Sequence, residues 1–514
     1  MLGLGTPMST DGQDGAARAD TLDLPPGELE ELGRAFGRMA LDYLSGPEAL
    51  PVFPDTSAEE LAALFGGGLP EEGAGLEALK GACAEVFRLS RQNGHPRMFG
   101  YVASPATPVG AWASLAAAAL NSNVTSWRSA PGPTEVERTA VRWLAELIGF
   151  RGEGLNEGCG GLLTSGGSMA NLNALFVAHR AQARDASRRG LWGERAPATL
   201  YASDQVHLSV PKAADILGLG REQVRAVPSD EGFGVDVRAL RERIEADVRA
   251  GLRPFCVVAS AGTVSTGAVD DLRGVAGVAR EHSLWFHVDG AYGALAACAA
   301  SKRALFAGLE DADSVSLDPH KWLYTPLGAG CLLFREPGRA RAAYAATEEG
   351  YIKVFEREEA EAFAFWDYGT ELSRPFRALK VWATLLYYGA RRVGAAIEED
   401  CRVASYMAER VSAAEDFELL APVTLGICCF RYVPADARRG LEDVGRRGEF
   451  DARLDDLNER VVHRVQRGGE AYVSNAVLRG RFALRASITN YRTTRRDIDL
   501  TLEVIRRAAR ELEG

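Results

Sequence analysis

The sequence predicts an α/β fold with a large domain, a small C-terminal domain and a helical arm at the N-terminus. Three observations carry this prediction. The central part alternates continuous apolar runs with helical patterns, the C-terminal part has separate strand-like runs and a final helix, and the N-terminal part shows helical patterns only. Apolar strands separated by helices indicate a mainly parallel sheet covered on both faces. The predicted units are residues 1–107, 108–385 and 386–514.

The N-terminal unit combines a tail with amphipathic helices. Residues 1 to about 25 are rich in Gly, Ala, Asp and Thr, a composition typical of mobile chain ends. From Gly27 to Leu44 apolar residues recur at helical spacing, and a second helix is predicted near Gly75 to Gln92 after a linker rich in Pro, Phe and Gly. Such an arm buries too little apolar surface to fold alone, so we expect it to pack on another subunit.

The large unit is predicted from alternating helices and strands. Helices are expected over Val109–Leu120 and Glu135–Ile148. The predicted strands are Gly161–Thr164, Thr199–Ala202, Cys256–Ser260, Leu284–Val288, Val315–Leu317 and Gly330–Phe334. In a doubly wound sheet of this kind, ligands bind at the carboxyl ends of the strands.

The C-terminal unit has its own strands. A helix is predicted from Ala390 to Glu415, followed by strands over Thr424–Arg431 and Phe482–Ile488. Thr494 and Asp497 have the spacing of a cap at the start of a final helix. This pattern predicts a smaller α/β domain.

Composition argues against several partners. The 514 residues are 46% hydrophobic and carry a formal net charge of -11, which gives no general attraction to nucleic acid or to anionic membranes. The alanine-rich run Val109–Leu120 is too short to span a bilayer, and the N-terminus lacks a signal pattern. The eight cysteines are scattered without a CxxC pair, so no metal site is expected. These features predict a cytoplasmic protein with reduced thiols.

One lysine differs from the others in its position. Only six lysines occur in the chain, and Lys321 alone lies between a strand-like apolar segment and a turn flanked by His320 and Trp322. A lysine held by its neighbours in this way suits a Schiff base. The alternative is a surface lysine on a loop, which is the usual location of this residue type.

Two further segments carry residues suited to a charged ligand. Gly167 and Ser168 follow a strand and open a helix, where backbone N–H groups and a hydroxyl can bind phosphate. A Gly/Ser turn before a helix also occurs without any phosphate. Asp289 ends a buried strand, where an isolated carboxylate requires a cationic partner. A helix-capping role is the alternative for this aspartate.

Together these motifs resemble those of the group II pyridoxal-phosphate (PLP) amino-acid decarboxylases, the family of the aromatic-L-amino-acid and glutamate decarboxylases. The resemblance rests on Asp-Pro-His-Lys-Trp at 318–322 and His-Val-Asp-Gly-Ala at 287–291, and it extends from about Gly27 to the final helix. It implies the PLP-dependent transferase fold type I, similar to aspartate aminotransferase. The implied activity is decarboxylation of an L-amino acid to an amine and CO₂.

The resemblance also implies roles for individual residues. Lys321 would hold PLP, Asp289 would keep the ring nitrogen charged so that the ring accepts electrons, and His207 would stack on the ring and face the substrate carboxylate. Tyr351, in a charged segment predicted to be a mobile loop, would return a proton to the substrate carbon, with Tyr344 as a rival. The other implied cofactor contacts are Gly167, Ser168, Ser260, Ala291 and His320.

The predicted substrate contacts are Tyr101, Ser104, Asn123 and Thr125. Asn123 and Thr125 fall where animal aromatic decarboxylases carry large apolar side chains, and polar groups match an aromatic ring poorly. Aromatic, acidic, aliphatic and diamino substrates therefore all stay open. Asp318 stands where animal members often have Asn, and a carboxylate near a phosphate is unfavourable unless it is protonated or turned toward a donor.

Two alternative functions are also considered. The same scaffold supports a decarboxylation-dependent oxidative deamination that gives an aldehyde, an outcome that in the family goes with Phe in place of the loop tyrosine or Asn in place of the stacking histidine. Tyr351 and His207 favour the amine. A catalytically silent PLP-binding scaffold protein is the other alternative, and the intact lysine, aspartate, histidine and tyrosine argue against it. The resemblance further implies a homodimer with the active site at its interface.

Overall fold

The structure is a computed structural model that describes residues 22–152, 160–183, 186–193, 196–344, 361–441 and 447–513. Its helices are α1 (Pro26–Ser45), α2 (Ala58–Phe65), α3 (Gly75–Arg88), α4 (Pro108–Leu120), α5 (Pro131–Ile148), α6 (Gly167–Gln182), α7 (Ala186–Arg189), α8 (Ser209–Ile216), α9 (Val237–Arg249), α10 (Leu272–Glu281), α11 (Pro319–Trp322), α12 (Pro337–Tyr344), α13 (Ala378–Ser412), α14 (Ala435–Leu441), α15 (Arg447–Arg467) and α16 (Arg495–Glu513). Its strands are β1 (Gly161–Thr164), β2 (Ala198–Ser203), β3 (Val224–Val227), β4 (Arg253–Ser260), β5 (Trp285–Asp289), β6 (Ser314–Leu317), β7 (Gly330–Phe334), β8 (Phe417–Leu419), β9 (Ile427–Tyr432), β10 (Ser474–Leu478) and β11 (Arg481–Ser487).

A seven-stranded sheet forms the centre of the large unit, in the order β1-β7-β6-β5-β4-β2-β3. The neighbours from β3 to β6 are parallel, whereas β7 runs antiparallel to both β6 and β1. Every residue of β1, β2, β5, β6 and β7 is buried, which explains why strands such as β1 and β7 are continuous apolar runs in the sequence. The predicted fold class, a mainly parallel mixed sheet with helices, is confirmed.

A second sheet in the order β10-β11-β9-β8 is antiparallel throughout. Its inner face packs on α13, α15 and α16 in a separate apolar cluster that includes Met407, Phe430, Val461 and Ile498. The predicted cap of α16 is present, because the Thr494 N–H donates to the Asp497 carboxylate over 2.9 Å. The predicted boundary between residues 385 and 386 falls inside α13, near its one non-helical residue Gly389, and stays a prediction.

Three strands were not predicted, and all of them lie at sheet edges. β3, β8 and β10 are short and partly exposed, so their sequences lack the continuous apolar character of the inner strands. Helix α2 was also missed, because its flanks are rich in Gly and Pro. A reciprocal cap between Ser57 and Glu60 starts this helix.

The N-terminal arm leaves much apolar surface uncovered. No residue of α1 is buried, and Leu29, Phe36 and Leu41 are exposed. Leu79 and Val86 on α3 are exposed as well. Among the helices of the described residues, none has both the length and the apolar character that a bilayer crossing requires.

Candidate active site

A cavity of about 660 Å³ lies at the carboxyl ends of the parallel strands. The residues that line it come from the segments after β1, β2, β4, β5 and β6, and further lining is supplied by β10 and β11 of the second sheet. All eight predicted cofactor contacts are among them: Gly167, Ser168, His207, Ser260, Asp289, Ala291, His320 and Lys321. The cavity therefore joins residues that are more than 150 positions apart in the sequence.

Lys321 lies on the short helix α11, directly after β6. The next residue, Trp322, is fully buried, stacks on Tyr292 with ring centroids 4.9 Å apart, and donates its indole N–H to Asp400 over 3.0 Å. Tyr324 donates to the same carboxylate oxygen over 2.7 Å. This anchoring holds the turn rigidly, so the lysine amine is presented to the cavity from a fixed backbone.

Asp318 is turned toward the amine of Lys321. Its Oδ2 lies 2.9 Å from the Nζ of Lys321 and 3.7 Å from the Nε2 of His320. The other oxygen, Oδ1, is buried and has no hydrogen-bond partner among the described residues. The Lys321 amine thus offsets the charge of the Asp318 carboxylate beside an anion-binding loop as long as that amine is free.

The loop between β1 and α6 is built to approach a ligand closely. A Cβ at Gly167 would lie 2.6 Å from the Cβ of Ala291, so no larger residue fits there without displacing its neighbours. No described side chain caps the first turn of α6. The backbone N–H groups of Gly167 and Ser168 therefore lack a side-chain cap at the positive end of the helix dipole, which is the arrangement that binds phosphate.

Asp289 ends β5 and accepts three hydrogen bonds from neutral donors. Asn171 donates its Nδ2 over 2.8 Å, Ser316 its hydroxyl over 3.2 Å and Ala291 its backbone N–H over 3.2 Å. No described cation forms an ion pair with this buried carboxylate. A buried anion in this state is suited to a positively charged ligand group.

His207 follows β2 and is held through one ring nitrogen. Its Nδ1 lies 2.8 Å from the hydroxyl of Ser209 and 3.2 Å from the backbone nitrogen of the same residue. Burial lowers the pKa of the imidazole below its usual range, although the charge of Asp289 partly opposes this. The ring is therefore neutral near pH 7.

Ser260 ends β4 and donates its backbone N–H to Asp270 over 2.7 Å. Burial raises the pKa of the Asp270 carboxyl to about 6. Asp270 also accepts the backbone N–H of Val235. The buried carboxyl group of Asp270 thus fixes the backbone of Ser260, the predicted cofactor contact.

Amine, carboxylate and helix N-terminus match the three polar ends of PLP. The aldehyde carbon requires an amine, the pyridine nitrogen an anion and the phosphate a set of N–H donors. Lys321, Asp289 and Gly167 supply these groups within one cavity. The residues present therefore fit the cofactor that the sequence predicts.

The predicted substrate residues separate into two groups. Tyr101 lines the cavity, whereas Ser104, Asn123 and Thr125 are not among the residues that line it. The carboxamide of Asn123 accepts the backbone N–H of Arg374 over 2.8 Å. The hydroxyls of Ser104 and Thr125 are buried without a hydrogen-bond partner among the described residues.

The two candidate acids of the loop are placed differently. Tyr351 lies outside the described residues. Tyr344 ends α12, packs on Phe176 with ring centroids 4.7 Å apart and donates its hydroxyl to Asn173. Burial raises the pKa of the Tyr344 phenol. Because Tyr344 does not line the cavity, its described position gives no support to its candidacy.

The residues of the site that the sequence did not predict include Asn171, Ser209 and Arg485. Asn171 is four residues after Gly167 and so on the same face of α6, a spacing that could have revealed it. Arg485 comes from β11 and gave no local signal. Its Nη1 donates to the carbonyl of Tyr101 over 2.7 Å, and its Nη2 is buried with no partner among the described residues.

Comparisons with known proteins agree with this geometry. Residues 59–433 match the family model described as the pyridoxal-dependent decarboxylase conserved domain. The chain is 32% identical to an aromatic-L-amino-acid decarboxylase of Bacillus atrophaeus over 495 residues, which covers 96% of this chain and 98% of the relative. It is 29% identical to a phenylacetaldehyde synthase of Petunia hybrida over 504 residues, covering 96% and 97%.

Solved structures give the same result. A TDC of Oryza sativa crystallised with PLP and tryptamine superposes with a TM-score of 0.87 at 27% identity, over 96% of this chain and all of the other. Mouse CSAD superposes with a TM-score of 0.85 at 26% identity, over 94% of this chain and 99% of that one.

Proposed function

Since this chain belongs to the pyridoxal-dependent decarboxylase family and is a PLP-dependent carboxy-lyase of fold type I, we propose that it converts an L-amino acid to the corresponding amine and CO₂. The observation that carries the proposal is the meeting of Lys321, Asp289 and the start of α6 in one cavity. The names of the relatives support an aromatic amino acid as the first substrate to test.

The proposed roles of the residues follow from their chemistry. PLP, when bound, supplies an electron-accepting ring that takes up the electron pair left by the departing carboxyl group. The amine of Lys321 would hold the cofactor, the N–H groups at Gly167 and Ser168 would bind its phosphate, and Asp289 would keep a proton on its ring nitrogen. His207 would cover the ring and hold the substrate carboxylate. We propose Tyr351 as the acid that returns a proton to the substrate carbon, from the resemblance alone.

Arg485 supports a substrate with a carboxylate group near the second sheet. The guanidinium lines the cavity, is buried and keeps Nη2 without a partner among the described residues. Burial lowers the pKa of this arginine. Its Nε and Nη1 donate to the backbone carbonyls of Val264 and Tyr101, so Nη2 is the nitrogen that a ligand carboxylate could satisfy. An acidic amino acid therefore belongs in the substrate test beside the aromatic ones.

We also propose that the enzyme is a homodimer with the active site at its interface. Trp112, Leu115 and Leu120 on α4 are exposed, as is Leu327 beside the cavity. Exposed apolar patches of this kind mark interaction surfaces. A second chain would cover these side chains and would bury the exposed helix α1 of the N-terminal arm. We propose that it also supplies further residues to the wall of the cavity.

The mass of the protein in solution tests the dimer. The variant Leu115→Glu should raise the monomer fraction in light scattering and weaken PLP binding. The control Val248→Glu alters an exposed residue of α9, a helix that packs on α10, β3 and β4, and should leave both unchanged. A monomeric wild-type protein with full activity would contradict the proposal.

A reducing, cytoplasmic setting is proposed because the seven described cysteines are all free thiols. Fractionation of the source cells would test this.

The function is tested by CO₂ release from a panel of amino acids. The panel contains aromatic, acidic, aliphatic and diamino acids, with the amine, aldehyde and hydrogen peroxide measured in each reaction. Amine with CO₂ in equal amounts supports the proposal, and the best substrate identifies the class. The similarity to a phenylacetaldehyde synthase makes aldehyde formation the second candidate, and aldehyde with peroxide would replace the amine-forming proposal. No CO₂ from any member would leave a PLP-binding scaffold.

A further inference from the structure

Asn171 lies at the centre of a hydrogen-bond network between two groups that line the cavity. It is the fifth residue of α6 and 1% exposed. Its Nδ2 donates to the Oδ2 of Asp289 over 2.8 Å and to the hydroxyl of Ser209 over 3.0 Å. Its Oδ1 lies 3.0 Å from the Nε2 of His287. Both N–H groups and the oxygen of this one amide are therefore used.

The direction of each bond follows from what each group can donate. A carboxylate only accepts, so the amide nitrogen faces Asp289 and the amide oxygen faces His287. His287 must then carry its proton on Nε2, which leaves its Nδ1 to accept from the hydroxyl of Ser314 over 2.9 Å. That hydroxyl oxygen in turn accepts the indole N–H of Trp285 over 2.9 Å. Burial lowers the pKa of His287 to about 4, so the ring is neutral and has a single proton to place.

The second branch leads through Ser209 to His207. Because the Ser209 oxygen accepts from Asn171, its one hydroxyl proton is free to point at the Nδ1 of His207, 2.8 Å away. The backbone N–H of Ser209 points at the same nitrogen. Two donors on Nδ1 exclude a proton there. The proton of the neutral ring is therefore on Nε2.

We propose that Asn171 is a positioning residue that sets the hydrogen-bond polarity of two groups lining the cavity, Asp289 and His207. It gives the carboxylate of Asp289 a neutral hydrogen-bond donor. It also orients Ser209 so that His207 keeps its Nε2–H as the donor turned away from the network. The Nε2–H of His207 then binds the carboxylate that the substrate loses, a step that rests on the proposed function. A neutral donor orients that carboxylate without the strong ground-state attraction of a cation.

The tautomers of the wild-type holoenzyme test the network independently of activity. Nitrogen-15 NMR of protein labelled at its seven histidines distinguishes protonated from bare ring nitrogens. His207→Gln and His287→Gln assign the two signals by their disappearance. We expect a protonated Nε2 and a bare Nδ1 at both residues. A protonated Nδ1 at either residue would overturn the assignment.

A matched pair of variants tests the role of Asn171 itself. Asn173 is on the same helix and equally buried at 1% exposed, but its amide bonds the backbone carbonyl of Met169 and the hydroxyl of Tyr344 instead of Asp289 and Ser209. We expect Asn171→Ala to lower PLP affinity of the apoprotein at least tenfold and to shift the nitrogen signals of His207 and His287. Asn173→Ala should change affinity less than twofold and leave both signals in place.

The outcomes separate this inference from the proposed function. An Asn171→Ala protein with wild-type affinity and unshifted histidine signals would refute the role of Asn171. If that variant does not fold, the wild-type tautomers still decide. If the tautomers are as stated but no amino acid yields CO₂, the network stands and only the carboxylate-binding clause fails.

Discussion

The exchange Asp289→Asn removes one charge from the site and keeps its shape. The carboxylate oxygens accept from Asn171, Ser316 and the backbone of Ala291. An amide oxygen can still accept the Asn171 bond, so we expect the fold to survive. What is lost is the anion proposed to hold a proton on the pyridine nitrogen of the cofactor.

The size of the effect follows from burial. Removing one partner of a buried ion pair costs about 3–5 kcal/mol. Since a factor of ten corresponds to about 1.4 kcal/mol, kcat/KM should fall by about two to four orders of magnitude when apoprotein is reconstituted with excess PLP. PLP affinity should also fall, because the ring nitrogen then lacks its partner.

The assay compares this variant with a matched control. Asp247 has the same exposure, 7%, but accepts the hydroxyl of Tyr201 and pairs with Arg225 away from the cavity. Asp247→Asn should leave PLP affinity within about twofold, whatever it does to stability. An Asp289→Asn enzyme that keeps more than a tenth of the wild-type kcat/KM would refute the assigned role.

Three further predictions concern other buried groups. Borohydride reduction should attach PLP to Lys321, and Lys321→Ala should abolish both this labelling and turnover; labelling of another lysine would contradict the site. Burial raises the pKa of Asp400 from 3.8 to about 7, so the folded state holds the proton more tightly than the unfolded state. This group should therefore lower the unfolding free energy by up to about 4 kcal/mol as pH rises from about 4 to 7. Asp400→Asn should reduce the slope in urea titrations by that amount, and an unchanged slope would refute it. Glu137 and Arg374 form an ion pair in which both side chains are 1% exposed. Glu137→Gln should therefore lower the unfolding free energy by about 3–5 kcal/mol, because it leaves the arginine charge buried without its partner. A loss below about 1 kcal/mol would refute this reasoning.

The sequence predicted those parts of the site that have a local signature. Lys321 and Gly167 follow buried strands and Asp289 ends one, and such strands can be recognised in the sequence because both sheet faces are covered. The edge strands β3 and β8 could not be recognised in the sequence, because edge strands that are partly exposed are short and mix polar with apolar residues.

Residues that act through distant partners could not be predicted in this way. Asn171 is 118 positions from Asp289 and 38 from Ser209, and the three meet only when α6 packs between the sheet and α8. Arg485 reaches the cavity from the second sheet. Asn123 and Thr125 were predicted from local likeness, yet the described cavity does not include them, since neighbouring contacts hold their segment elsewhere.

The pairing of β1 with β7 determines when the large sheet can be completed during synthesis of the chain. A chain still on the ribosome that has emerged only as far as β5 already contains the phosphate-binding loop and the acid, but it lacks both the amine and the strand that completes the sheet beside that loop. The sheet beside the phosphate-binding loop is therefore complete only in chains that have been synthesised past residue 334.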